Sequence, residues 1–238
     1  MKNYLYSAIL VLSAQFIMSG CVNRQSDEGL TTLFDGKDIS AWTTETGDWR
    51  IEDGILVLKT NDEHQMVNSS YLWTKESYGD FILDLDFKIP DEPIYGLVKF
   101  KGEGKPGNSG VFIRVENTAD PVQTGIEIQV GTIMPGDDLR RGSVGGLFDL
   151  VPPAANKYKP GEWNHYRITC KGSLVTVELN GSETASADLN DWVTERKNPD
   201  GSPNKFKRPL KEFARTGFIG LQDHGTPAFY RNIRIKKL

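Results

Sequence analysis

GNSGVFIRVENTADPVQTGIEIQV, residues 107–130, reads as two strands joined by a loop. Side chains on a strand alternate between its faces. In the first strand Ser109, Val111, Ile113 and Val115 share one face, and Gly110, Phe112 and Arg114 the other. In the second, Ile126, Ile128 and Val130 oppose Gly125, Glu127 and Gln129. Each strand thus has an aliphatic side fit for a core and a second side carrying polar groups. That second side is either the lining of a polar groove or an ordinary wet outer face of an antiparallel sheet.

Upstream, residues 79–89 (GDFILDLDFKI) give the clearest alternation in the chain. Phe81, Leu83, Leu85, Phe87 and Ile89 point one way, and Asp84, Asp86 and Lys88 the other. Asp53-Gly54 marks a hairpin between two apolar runs, and residues 71–74 and 95–100 read as short strands. Downstream, residues 131–160 show little periodicity beyond a short strand at 144–148, and long structured loops inside a domain are often functional. Residues 163–170 and 174–179 form a hairpin around Lys171-Gly172-Ser173. Residues 181–212 are polar and proline-bearing, an excursion with one helical turn near 189–193 and solvated positive charges. Residues 216–225 and 228–238 add two strands, with Gly220, Gln222 and His224 on one face. About a dozen strands with few helices predict an all-β chain, a β-sandwich of jelly-roll type.

The chain has 238 residues, 24 glycines and 10% aromatic residues, as expected of one turn-rich β domain over residues 30–238. A net charge of −4 with both signs mixed argues against nucleic acid as a partner. Residues 1–21 read as a signal peptide: Lys2, an apolar run, then Met-Ser-Gly-Cys, which resembles a bacterial lipobox ending at Cys21. Residues 22–29 make a polar tether. These features predict an exported protein held to the membrane of the bacterial cell envelope by a lipid on Cys21. The second cysteine, Cys170, then has no partner and reads as a small buried apolar residue.

Three histidines can be weighed for chemistry. His165 falls on the outer side of its hairpin and His64 in a polar loop. His224 ends a strand, follows Gln222 and Asp223, and precedes a glycine, a setting for a general base near neutral pH or for a turn-stabilising side chain. No nucleophile elbow, phosphate loop, dinucleotide fingerprint or zinc spacing occurs. Asp86, Glu127 and Asp223 could supply a carboxylate pair for ordinary glycoside hydrolysis. Asp137-Asp138 is a weak calcium signal.

Taken in order, LFDGKDISAW, YLWTKESYGDFILDLDFKI, GNSGVFIRV, GIEIQV, GGLFDLVPP, KPGEWNHYRI, VELNG and TGFIGLQDHGTPAFYRNIRIKKL resemble the 3-keto-disaccharide hydrolase family. The resemblance implies a concanavalin-like, laminarin-binding-type sandwich. It also implies cleavage of glycosides oxidised to a ketone at C3, by net hydrolysis or by elimination across C1–C2. The positions it marks are Asn108, Arg114, Glu127, Gln129, Asp223, His224 and Arg231, with Asp86 and Lys88. Phe148 stands where the family often has Tyr, and the segment at 94–107 is longer than usual.

Such chemistry needs a base for the C2 proton, a cation or donors for the enolate oxygen, and polar groups for sugar hydroxyls. The expected assignment has His224 as base, tuned by Asp223 or Glu127. Arg114, Lys88 or a bound divalent cation stabilises the enolate, and Asn108, Gln129 and Gln222 hold hydroxyls. Two other readings stay open. A non-catalytic, lectin-like carbohydrate-binding module would show aromatics in the groove. A two-carboxylate glycosidase would act on unoxidised sugars. The charged groove expected from Asp86, Lys88, Arg114, Glu127 and His224 favours catalysis.

Overall fold

A computed structural model describes residues 29–43, 49–58, 70–90, 107–131, 138–224 and 226–238. The signal segment, the tether, Cys21, His64, Asp137 and the strand expected at 95–100 lie outside these described residues.

In chain order the strands are β1 (Thr31–Phe34), β2 (Trp42–Thr43), β3 (Trp49–Glu52), β4 (Ile55–Leu58), β5 (Ser70–Thr74), β6 (Phe81–Lys88) and β7 (Ser109–Val115). A single helical turn, α1 (Pro121–Thr124), precedes β8 (Ile126–Val130), β9 (Asn164–Lys171), β10 (Leu174–Leu179), β11 (Ser182–Asp188), β12 (Phe218–Asp223) and β13 (Ala228–Lys237). They form two antiparallel sheets. One runs β11-β10-β9-β6-β13-β4-β3, with β1 also paired to β13; the other runs β2-β5-β12-β7-β8. The expected all-β sandwich is therefore the fold.

The core is what alternation predicts. Phe81, Leu83, Leu85 and Phe87 on β6, with Tyr166, Ile168 and Cys170 on β9, face Leu72, Val111, Ile113, Ile126, Ile128, Ile219 and Leu221 of the smaller sheet. Burying a side chain of this size contributes about 1.5–3 kcal/mol, so the sandwich holds without a disulfide. Burial pushes the Cys170 thiol up to about 12, which makes it inert packing.

The two predicted hairpins form. Where an ordered strand replaces the expected excursion, at β11, Asn180-Gly181 makes the turn, both residues at positive φ. That pair is the ordinary signal of a two-residue hairpin. The expected helical turn is a 3₁₀ turn at Leu189–Asp191. Of the strand expected at 144–148, Leu147 alone makes ladder bridges.

Two β-bulges decide where the charged residues point. In β7 the register against β12 slips between Phe218 and Gly220, and Arg114 takes φ 51°. One extra residue in a strand reverses the alternation beyond it. Val115 therefore joins Tyr71 and Phe112 on the outer side, and Arg114 turns toward the other sheet. In β13 the register against β6 slips between Arg231 and Arg234, with Asn232 at φ 53°.

Candidate active site

The outer face of the five-stranded sheet carries a grid of side chains. One row reads Trp73, Gly220, Phe112, Glu127 across β5, β12, β7 and β8. Beside it Tyr71 stands opposite Gln222, and Gly110 opposite Gln129. The Phe148 backbone N–H donates to Glu127 O at 2.8 Å, which extends the first row past the sheet edge.

Both glycines are needed for what lies over them. A Cβ at Gly110 would stand 2.7 Å from Glu127 Oε1, and one at Gly220 2.1 Å from the Trp73 ring. The Glu127 carboxyl and the Trp73 indole therefore lie flat against bare backbone. Tyr71 stacks on Trp73, with centroids 4.8 Å apart, and meets Phe112 edge-on.

The strands beneath are pinned from the opposite sheet. Tyr166 Oη donates to Gln129 O at 2.6 Å and accepts from the Gly145 N–H at 2.7 Å. Ser109 Oγ donates to Gln222 O at 2.6 Å and pairs with Tyr230 Oη at 2.7 Å. These buried groups hold the backbone of the site rigid.

Glu127 is 6% exposed. Desolvation raises its pKa, against the opposing pull of Lys205 and of the His224 charge. Lys205 Nζ lies 3.4 Å from Glu127 Oε2 and 4.5 Å from the Phe148 ring centroid. This lysine comes from the polar excursion, where solvated charge was expected. Its backbone N–H donates to Asp149 Oδ2 at 2.5 Å. The buried Asn198 organises the same loop by accepting from Trp192 Nε1 and donating to Asp149 O and Pro203 O.

Gln129 Nε2 donates to Asn108 Oδ1 at 2.7 Å. Gln129 Oε1 and Gln222 Oε1 are buried and have no hydrogen-bond partner among the described residues. An unmatched buried acceptor costs about 1–3 kcal/mol, so two on one face mark a place for donors such as sugar hydroxyls. Asn108 is tied to Thr226 at both its N–H and its carbonyl. His224 follows β12 directly and is partly exposed.

Glu127, Gln129 and Gln222 share this face, with Asn108 bonded to Gln129 and His224 acting electrostatically on Glu127. The other candidates do not. Asp223 accepts from Ser70 Oγ at 3.0 Å and, by alternation, lies on the opposite side of β12 from Gln222. Arg114, 2% exposed, donates to Gly79 O, Gly172 O and Asp80 Oδ1, joining β7 to the start of β6 and the β9–β10 turn. The bulge makes it a structural clamp and removes it from the groove.

Asp86, Lys88 and Arg231 stand on the outer face of the eight-stranded sheet, the far side of the sandwich. Asp86 meets His165 Nδ1 at 2.9 Å, Asn232 Nδ2 at 2.7 Å and Arg231 Nε at 3.2 Å. Arg231 and Lys88 cover the Trp163 ring. Placing these three beside Glu127 is corrected: alternation puts Asp86 and Lys88 on the outer side of β6 but cannot say which sheet bears the groove, and Arg231 is a position that only the resemblance marks.

The sequence reading missed two features of the groove. One is its aromatic strip, visible in the alternation of Tyr71 and Trp73. The other is Lys205, for which no local signal exists. The Glu127 carboxylate and the two orphan amide oxygens are hard donors of the kind a divalent cation takes. Among the described residues no three His, Cys, Asp or Glu side chains gather around one point.

Known proteins share the sequence pattern and the architecture. A curated 3-keto-disaccharide hydrolase of Bacteroides thetaiotaomicron is 25% identical over 89% of this chain and 79% of its own. The crystal structure of a candidate glycosyl hydrolase from Parabacteroides distasonis is 32% identical with a TM-score of 0.72, covering 88% of this chain and 99% of that one. A second from the same organism is 27% identical with a TM-score of 0.66, covering 88% and 94%. A Bacillus subtilis protein with a galectin-like fold shares the architecture alone, at 15% identity and a TM-score of 0.53 over 87% and 94% of the two chains. Residues 29–236 match the profile described as the 3-keto-alpha-glucoside-1,2-lyase-like domain, and the chain belongs to that family.

Proposed function

We propose that this protein cleaves glycosides that carry a ketone at C3 of the sugar, on the groove face of the five-stranded sheet. The observation that carries the reading is the Glu127 carboxyl: buried, raised in pKa, bonded to one ammonium and within the field of one imidazole.

A C3 ketone acidifies the proton on C2. His224 takes that proton, and the C2–H electron pair becomes an enolate with its charge on O3. The enolate collapses to a C1=C2 double bond while the C1–O bond breaks, its electron pair leaving on oxygen. Glu127, whose pKa burial raises, is the acid that gives that oxygen its proton. The products are an unsaturated 3-keto sugar and a free alcohol. Water adding at C1, with a proton returned to C2, makes the outcome net hydrolysis. Lys205 takes the part expected of Arg114, a cation facing the developing negative charge; an aimed donor of this kind is worth about 3–4 kcal/mol. The orphan oxygens of Gln129 and Gln222 accept sugar hydroxyls, with Asn108 beside them.

Trp73, the partly exposed ring of the strip it forms with the buried Tyr71 and Phe112, favours a second reading, a carbohydrate-binding module without catalysis. A two-carboxylate glycosidase finds less support, since Asp86 and Asp223 do not share the face of Glu127. One assay separates the three. Matched 3-keto and native glucosides are incubated with the protein, and release of the alcohol is followed. Release from the keto substrate alone supports the proposal. Binding without release supports the module, and release from the native sugar supports the glycosidase.

The proposal includes export, with Cys21 as the lipid-bearing first residue of the mature chain. Mass spectrometry of the protein from a bacterial membrane fraction tests it; an unmodified or differently cleaved N-terminus would contradict it.

A further inference from the structure

Past the sheet edge at Glu127 lies an open cavity of about 480 Å³ lined by Leu139, Arg140, Arg141, Phe148, Asp149 and Pro152. Phe148 connects the two. Its backbone bonds to Glu127, and its ring bears the same ammonium that meets the Glu127 carboxylate. The cavity is thus the space into which a molecule with its scissile oxygen at Glu127 would extend past the sheet edge.

The polar groups of this cavity are not equally occupied. Arg141 donates from Nε to Leu150 O at 2.8 Å and from Nη2 to the Asp200 carboxylate. Asp149 accepts from the Lys205 backbone. Arg140 is exposed, and its guanidinium makes no hydrogen bond or ion pair among the described residues. Against these stand the apolar surfaces of Leu139, Phe148 and Pro152. The cavity thus offers an apolar wall and one guanidinium without an acceptor among the described residues.

We infer that this cavity is the leaving-group subsite, and that it selects an aryl group bearing an acidic substituent: the ring lies against Phe148 and Pro152, and a carboxylate or phenolate meets Arg140. The inference rests on the proposed cleavage of 3-keto-glycosides and adds the class of group released. Arg suits this task because its planar fork pairs with a carboxylate through two parallel bonds.

The test is kcat/KM for 3-keto-glucosides carrying methyl, phenyl and 4-carboxyphenyl groups, in wild type, Phe148→Ala, Arg140→Gln and Trp73→Ala. Comparing each preference between wild type and variant cancels the differing acidity of the leaving groups. Phe148→Ala is expected to lower the phenyl-over-methyl preference about tenfold. Arg140→Gln is expected to lower the carboxyphenyl-over-phenyl preference about tenfold while leaving phenyl-over-methyl in place. If both preferences persist in these variants, or collapse in Trp73→Ala instead, the inference is overturned while the proposed function stands. If wild type turns over none of the three, the proposed function falls and this inference falls with it. Should Phe148→Ala not fold, the exposed Arg140 decides alone.

Discussion

The Glu127 carboxyl lies over the bare backbone of Gly110, so close that a Cβ there would stand 2.7 Å from Oε1. The neighbouring atoms are a carboxylate on a short stem and a pinned strand, so the displacement falls on the carboxyl. Gly110→Ala is therefore expected to fold, with wild-type circular dichroism, and to lose about 100-fold in kcat on a 3-keto-glucoside. Retained turnover would show that the carboxyl position does not matter.

Burial raises the Glu127 pKa, against Lys205 and His224. Two consequences follow, and both run the same way with pH. For activity, a proton donor is lost as pH rises through the raised value, so kcat/KM falls on that alkaline limb, and Glu127→Gln abolishes the limb at a rate about 100-fold or more lower. For stability, a carboxyl raised in the folded state binds its proton more tightly there than in the unfolded chain. Folding is thus favoured at low pH by this group and loses stability from the ordinary glutamic acid range up through the raised pKa. Melting temperatures of wild type and Glu127→Gln, compared across pH, should separate in that window, with the variant less pH-dependent.

Arg114 should matter to folding and not to chemistry. Its guanidinium holds two carbonyls and the Asp80 carboxylate at the edge between the sheets. Arg114→Met is expected to cost about 3 kcal/mol of stability in urea unfolding and to keep wild-type kcat at low temperature. A loss of kcat without loss of stability would return Arg114 to the catalytic machinery.

Asp86 supplies a second pH signature, on the far sheet. Desolvation pushes its pKa up, but hydrogen bonds from His165, Asn232 and Arg231 outweigh that and hold it below the usual carboxylate range. Its stabilising effect is therefore present above the ordinary aspartate pKa and is lost as pH falls through the lowered one. Asp86→Asn should weaken the acid-side fall in melting temperature and leave turnover of a 3-keto-glucoside within twofold or so of wild type, on the ordinary scale of changes remote from a site. A large loss of turnover would place Asp86 back in the site.

The strands and core were legible because alternation states its own answer. The aliphatic faces of β6, β8, β9 and of β7 as far as Ile113 follow from period two, and the same rule puts Glu127, Gln129, Gln222 and His224 on polar faces. Alternation fails at a bulge, since one added residue reverses every face beyond it, and nothing in GVFIRV announces that Arg114 takes positive φ. It is also blind to which of two sheets carries a groove, which is why Asp86 and Lys88 were misplaced, while Arg231 stood in the site only as a position the resemblance marks. Lys205 was beyond reach for a different reason. It lies 78 residues from Glu127 in sequence, on a loop whose course depends on Asn198 and Asp149. By contrast, Asn180-Gly181 and the Tyr71–Trp73 alternation were readable signals of β11 and the aromatic strip.

The central claim is that the imidazole of His224 and the carboxyl of Glu127 act together on a 3-keto sugar. Turnover of a 3-keto-glucoside by His224→Ala, with folding checked by circular dichroism, tests it most directly. The account predicts a loss of about 100-fold or more in kcat/KM, with the native glucoside inert to both proteins. Near wild-type turnover by the variant would contradict it.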